Sequence, residues 1–197
     1  NLKKAVEYYD ADPKRCFFIE SGVNSVLFSK TTNEEIEKSR VDLGLDPEDK
    51  VILNHGVMSE RKNVHLLIEA IKFLPRNYKL LLVGSGDPGY AGKINEMIAT
   101  SGLASRVVKV GYTPYPQTPI AYQVSDIFVL PSSWEGVPKV VMQGLSCGVP
   151  CLVSGFKLKE EIKGLYYLED LDPKYIAEYI QTIVENRSIS VDIEKWQ

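Results

Sequence analysis

The sequence predicts a doubly wound α/β domain built on a parallel sheet of about six strands. Three observations carry that expectation. From residue 51 onward, short apolar runs take turns with stretches of helical periodicity, and Gly or Pro marks the joints. Each run is continuously apolar, as strands buried on both faces of a parallel sheet must be. The chain has 197 residues, 44% hydrophobic and 25% charged, enough apolar material for the core of one large domain.

The elements follow in order. Residues 15–20 (Arg-Cys-Phe-Phe-Ile-Glu) read as a strand that precedes the main rhythm and suits a neighbouring domain, with a turn at 21–24. Residues 33–43 read as a charged helix stopped by Gly44. Strands are expected at 51–53, 79–83, 107–110, 126–130, 151–153 and 165–168. Val64, Leu67, Ile68 and Ile71 stand at helical spacing, as do Ile176, Tyr179, Ile180 and Ile183. Asp172 and Pro173 supply the cap and first turn of the last helix. Pro138 suits a first helical position, and Gly148 with Pro150 ends the helix it starts.

Charge and cysteine usage exclude several classes. The net charge is −3, from 23 Lys and Arg against 26 Asp and Glu, which argues against a nucleic-acid surface. Three cysteines without zinc-type spacing argue against a disulfide framework and favour a reducing compartment. The apolar runs fall far short of the roughly 20 residues of a membrane helix, and no secretory pattern opens the chain. The chain starts Asn1-Leu2-Lys3 without Met, which is expected of a fragment or a processed product.

Ligands of such a fold sit beyond the carboxyl ends of the strands. Gly84-Ser85-Gly86-Asp87-Pro88-Gly89 spells GxGxxG, but it follows the second strand and lacks an acid about 20 residues on. A dinucleotide site is therefore disfavoured, and the glycines are expected to form a tight turn that lets the backbone approach a neighbour. Asp10-Ala11-Asp12 and Asp170-Leu171-Asp172 resemble metal-binding pairs, yet the second is better explained by helix capping, so no metal is expected. His55 and His65 have no cluster of partners, and no catalytic triad is spelled out. Trp134 and Trp196 are more simply read as packing residues than as sugar platforms.

Two loops carry the functional signal. His55-Gly56-Val57-Met58-Ser59-Glu60-Arg61-Lys62-Asn63 puts two cations ahead of a helix, where they oppose its dipole unless an anion lies between. After the fourth strand, Pro138 leaves the amides of Lys139 and Val140 free for an anion. Lys139 and Gln143 are expected on one face of that helix, Val141 and Leu145 against the sheet, and Glu135 lies eight positions before Gln143. A phosphate, a polyol and a carboxylate can meet within this one turn.

The segment from Glu135 to Pro150 resembles the signature of the retaining group 1 (family 4) glycosyltransferases, in which two Glu stand eight positions apart. Ile19–Asn24 with Phe28, Arg61-Lys62-Asn63 with Glu69-Ala70, Val83–Gly86, Val110-Gly111 and Ser125–Ser132 fall in the same order. The resemblance implies two Rossmann-like domains with a cleft between them (GT-B), of which this chain is the C-terminal, donor-binding one. It implies residues 1–30 as the end of the preceding domain and the hinge, 31–187 as the nucleotide-sugar domain and 188–197 as a tail. By the same resemblance Lys62, helped by Arg61, neutralises the donor diphosphate beside the loop glycine Gly56. Glu135 and Gly136 meet the donor sugar, and the amides around Val137, Lys139 and Val140 bind the distal phosphate. Gln143 holds the ribose, Gly111-Tyr112-Thr113 lines the base, and Gly84 and Gly86 keep the pocket wall open.

Lys62 and Glu135 are thus the expected catalytic pair, acting without a metal or other cofactor. The donor is expected to be a GDP- or UDP-sugar, with mannosyl or glucosyl as candidate groups. The acceptor is expected to be a glycan or a lipid-linked sugar, and no nucleic acid takes part. A cytoplasmic location is implied, with peripheral contact at the inner membrane face through the absent domain. Three positions depart from the pattern. Gln143 replaces the second Glu, so a neutral contact replaces a charged one. Val57 replaces an Arg, a loss of about 1.5–3 kcal/mol of diphosphate binding unless Arg61 swings in. Residues 155–160 are bulkier and more basic than the usual Gly-rich loop. These leave open a non-catalytic nucleotide-binding domain of the same family, and a nucleotide-sugar epimerase shares the fold.

Overall fold

Six apolar runs pair into one parallel sheet in a computed structural model that describes residues 2–16, 22–186 and 191. The strands are β1 (Lys50–His55), β2 (Tyr78–Val83), β3 (Val107–Val110), β4 (Ile127–Leu130), β5 (Cys151–Val153) and β6 (Leu165–Tyr167). Their order across the sheet is β3-β2-β1-β4-β5-β6, and every pair is parallel. The helices are α1 (Leu2–Tyr9), α2 (Asn33–Asp42), α3 (Val64–Ala70), α4 (Pro88–Thr100), α5 (Pro119–Gln123), α6 (Lys139–Ser146) and α7 (Pro173–Glu185).

Burial on both faces explains the continuous apolar runs. Ile52, Leu80, Leu82, Ile127, Val129 and Leu152 point to one side, where they pack under α3, α4 and α7. Val51, Leu53, Leu81, Val83, Phe128 and Leu130 point to the other, against α5, α6 and Phe28. Neither face has a polar stripe because neither meets water.

Local chemistry sets the ends of the helices. Thr32 and Glu35 form a reciprocal capping box on α2, and Gly44 follows its end at φ +69. Asp172 caps α7 by accepting from the amides of Lys174 and Tyr175, as expected. Asp12 similarly caps a short 3-10 turn at Pro13–Arg15. Pro138 differs from expectation: it is the N-cap of α6, extended at φ −74 and ψ 125, and the helix begins at Lys139. A proline's fixed φ suits an extended cap as well as a first turn.

The expected strand at 15–20 falls largely on residues 17–20, outside the described residues, as do Trp196 and most of the 188–197 tail, while the turn expected at 21–24 is found later, at 25–27. Residues 22–30 pack onto this domain. Phe28 is fully buried, its carbonyl accepts from Ser146 Oγ at 2.5 Å, and the Ser29 carbonyl accepts from Gln123 Nε2 at 2.8 Å. The end of the segment expected as a hinge thus rests on α5 and α6.

Candidate functional site

The strand order reverses direction between β1 and β4, so α3 and α6, which follow these two strands, pack on opposite faces and leave a crevice at the sheet's carboxyl edge. The β1 loop begins with Gly56 at φ +128, where a Cβ would lie 2.7 Å from Lys62 Nζ. Only glycine lets the lysine fold its amino group back over the strand end. Arg61 and Lys62 lie in a 3-10 turn (Glu60–Lys62) that ends at Asn63 in the left-handed region, φ 50 and ψ 37. Asn63 Nδ2 donates to the Pro131 carbonyl at 2.9 Å and to Ser133 Oγ at 3.0 Å, and Ser133 N donates to the Arg61 carbonyl at 2.9 Å. The two loops facing the crevice are therefore tied together.

The expected contest between the basic pair and the dipole of α3 does not arise. The 3-10 turn carries both cations ahead of the helix, and the His65 amide at its start donates to Tyr90 Oη at 3.2 Å.

Gly84 and Gly86 let backbone approach closely, as expected. A Cβ on Gly84 would lie 2.3 Å from the Gly56 carbonyl oxygen, and one on Gly86 would lie 1.9 Å from that of Met58. The neighbour they admit is the β1 loop, whose Met58 N also donates to the Ser85 carbonyl at 3.1 Å. Backbone fills the space, so these glycines shape the wall by letting the two loops pack closely.

The β4 loop rests on the loop after β5. Ser154 Oγ donates to the Ser132 carbonyl at 2.8 Å, and Glu135 N donates to that of Gly155 at 2.8 Å. Gly155 adopts φ +84, and a Cβ there would sit 2.7 Å from the Ser132 carbonyl oxygen. The Glu135 carboxylate accepts from Ser132 Oγ at 2.9 Å and pairs with Arg61 Nη1 at 2.6 Å, both through Oε1. Arg61 Nη1 also donates to the Trp134 carbonyl at 2.6 Å, with its guanidinium 4.7 Å from the centre of the Trp134 ring. Arg61 is thus held by Glu135 and Trp134, whose carboxylate, carbonyl and ring give the cation three partners at once. Trp134 is neither a packing residue nor an open platform; it is 66% exposed and backs this guanidinium.

Lys62 remains the cation in want of an anion. Among the described residues it forms no ion pair, and burial pushes its pKa down, with Glu135 opposing and Arg61 adding to the fall. A half-buried ammonium in that position is stabilised by any anion that reaches it. On α6, Val141 and Leu145 face the sheet as expected. Lys139 is exposed, but Gln143 is not beside it on an open face: it is 7% exposed, and its Oε1 accepts from Tyr122 Oη at 3.0 Å. Tyr122 Oη lies 2.8 Å from His55 Nδ1. Gln143 is thus engaged on its inner side through Oε1. The first-turn amides of Lys139 and Val140 lack intrahelical acceptors, as at any helix start.

Gly111-Tyr112-Thr113 follows β3 and is joined to the second loop by Gly84 N donating to the Gly111 carbonyl at 3.2 Å. Tyr112 is 79% exposed, and Val57, Val137 and Trp134 are likewise exposed on the loops of the carboxyl edge. A Cβ on Gly111 or Gly136 would meet nothing within 4 Å. The residues the sequence did not single out for this site are Asn63 as a loop tie, Ser132, Ser154 and Gly155 under Glu135, and His55 with Tyr122 behind Gln143. Only Asn63 carried a local signal, as an Asn at a loop-to-helix junction.

Comparison with known proteins agrees with this geometry. The family model for group 1 glycosyl transferases matches residues 35–195, and the chain belongs to that family. It is 30% identical over 172 residues to the UDP-Gal:alpha-D-GlcNAc-diphosphoundecaprenol alpha-1,3-galactosyltransferase of Escherichia coli, covering 82% of this chain and 43% of that one. The structure of Anabaena Alr3699/HepE in complex with UDP and glucose overlays with a TM-score of 0.82 at 21% identity, over 98% of this chain and 54% of that one. The C-terminal domain of the group 1 family protein LpcC from Francisella tularensis overlays with a TM-score of 0.73 at 17% identity, over 89% and 94%. The Rossmann-like fold expected from the sequence is the fold found. The chain spans less than half the length of the curated relatives it matches.

Proposed function

We propose that the chain is the donor-binding half of a glycosyltransferase that moves a hexosyl group from a UDP- or GDP-sugar to a glycan or lipid-linked acceptor, with retention. The observation that carries this reading is Lys62, a half-buried ammonium without an ion-pair partner among the described residues, at the crevice between β1 and β4. Lys62 would take the diphosphate, and the amides of Lys139 and Val140 at the start of α6 would take its distal phosphate. These groups stabilise the charge that grows as the glycosidic bond breaks and its electron pair leaves with the diphosphate. The reading invokes no metal. Glu135 Oε2 has no partner among the described residues and is the oxygen left for a sugar hydroxyl.

The E. coli relative's name specifies UDP-Gal and a diphosphoundecaprenol-linked acceptor, and the Anabaena structure holds UDP and glucose, which supports a nucleotide-sugar donor. The match to a domain described as C-terminal supports the place of this chain in a longer enzyme. A lipid-linked acceptor would put the protein at the cytoplasmic face of a membrane, held there through its other domain. No helix among the described residues is long and apolar enough to cross one. A second reading, nucleotide binding without transfer, is favoured by Glu135 being tied to Arg61 and Gln143 to Tyr122.

Sugar transfer by the full-length protein separates the two. Lys62→Ala and Glu135→Ala are each expected to lower the rate at least about tenfold, in line with the loss of one charged transition-state contact. Unchanged rates in both variants would refute the site, and absence of transfer by the wild-type protein would favour the second reading.

A further inference from the structure

Local geometry divides the basic pair between two places. Arg61 and Lys62 are consecutive residues of the 3-10 turn at Glu60–Lys62, and three residues per turn send neighbouring side chains about 120° apart. Lys62 folds back over the end of β1, where a Cβ on Gly56 would lie 2.7 Å from its Nζ. Arg61 turns to the β4 loop. Among the described residues, every hydrogen bond, ion pair and ring contact of its side chain is made there. Nη1 donates to the Trp134 carbonyl and pairs with Glu135 Oε1, both at 2.6 Å, and the guanidinium lies 4.7 Å from the centre of the Trp134 ring.

Glu135 is held a second time by Ser132, whose hydroxyl donates to the same Oε1 at 2.9 Å. Ser132 is 1% exposed, and its carbonyl accepts from Ser154 Oγ at 2.8 Å, so the serine is anchored in turn to the loop after β5. Chemistry fixes the direction of both contacts: a guanidinium has no acceptor, and an ionised carboxylate has no proton to give. One edge of the carboxylate is therefore filled by two donors from two loops. Rotating the carboxylate by half a turn only exchanges equivalent oxygens, and the same edge remains outward.

We propose that Arg61 and Ser132 are positioning residues for Glu135, which fill one edge of its carboxylate so that the other is presented to the hydroxyls of the donor sugar, and that Arg61 is not a ligand of the diphosphate. This rests on the reading of the crevice as a nucleotide-sugar site. An unclamped glutamate loses rotamer freedom when the sugar arrives, and that ordering cost is subtracted from binding. A clamped one has lost it on folding. The Arg61 charge also offsets that of the carboxylate, so that a diphosphate on Lys62 meets less repulsion from it.

Arg61→Lys retains the charge and removes the planar fork and its stacking on Trp134; Ser132→Ala removes the second donor. UDP dissociation constants are measured on the 197-residue chain, and transfer from UDP-galactose and UDP-glucose on the full-length protein. UDP affinity is expected to be unchanged in both variants, because neither side chain touches the diphosphate. In each, kcat/KM for the sugar nucleotide should fall about three- to tenfold, the scale of one hydrogen bond. In a Glu135→Ala background, Arg61→Lys should cost nothing further, because it acts through Glu135. A merely structural fault would weaken UDP binding as well and persist in that background. A loss of UDP affinity in Arg61→Lys equal to that of Lys62→Ala would make Arg61 a diphosphate ligand, and faster transfer by Arg61→Lys would make the pair a block on Glu135. Either result, or losses that multiply with Glu135→Ala, overturns the proposal while leaving the crevice reading in place. A wild-type chain that binds no UDP, or a wild-type protein that transfers neither hexose, overturns it together with the functional reading on which it rests.

Discussion

His55 ends β1 with its ring half-buried, and burial, reinforced by the nearby Lys62 charge, lowers its pKa from 6.5 to about 4. In the unfolded chain the same ring is exposed and binds its proton near pH 6.5. Between these values the unfolded state carries more protons, so folding stability rises with pH across the window. The contribution is complete above about pH 6.5 and lost by about pH 4, and a shift of this size corresponds to about 3 kcal/mol. Urea unfolding of the wild-type chain from pH 4 to 7 should show this slope, and His55→Gln should flatten it. An equal slope in both would show that the ring is not held neutral by the fold. In the sequence, His55 looked like an isolated histidine, because its partners Tyr122 and Gln143 are brought to it only by the packing of α5 and α6. Gly84 and Gly86 were legible as residues that admit a close backbone, but not as residues that admit Gly56 and Met58, since that depends on the parallel register of β1 and β2.

Elements were legible wherever local chemistry decides them. The six strands follow from continuous apolar runs, and α7 follows from Asp172, Pro173 and an apolar stripe. Asp172 also belongs to an Asp-x-Asp pair, and its carboxylate is engaged by the Lys174 and Tyr175 amides. Asp172→Ala is therefore expected to cost about 1 kcal/mol of stability in chemical denaturation and to leave nucleotide affinity unchanged. A large loss of affinity would return the pair to the ligand site. Less legible was how loops lean on one another. Arg40 of α2 donates to the carbonyls of Val124, Pro47 and Asp49 and pairs with Asp126 at 3.1 Å, joining α2 and the turn before β1 to the distant segment 124–126. No periodicity signals such a contact. The same holds for Arg61: its charge was plain in the sequence, but its capture by Glu135 and Trp134 requires the β1 and β4 loops to be side by side.

At the scale of the molecule, the strand order β3-β2-β1-β4-β5-β6 puts Lys62 and Glu135 on the two loops that meet at the switch point. The sequence supported a parallel sheet and the importance of these loops. The crevice between them came from β1 pairing with β4, a long-range contact that no local pattern encodes. The carboxyl edge also carries exposed Val57, Tyr112, Trp134 and Val137. The central claim is that this crevice binds a nucleoside diphosphate through Lys62. Calorimetric titration of the chain with UDP, GDP and ADP tests it most directly, with Lys62→Ala beside the wild type. The account predicts selective binding of one nucleotide, weakened at least about tenfold in Lys62→Ala by the loss of a charged contact to phosphate. Binding that is equal in the two proteins would contradict it.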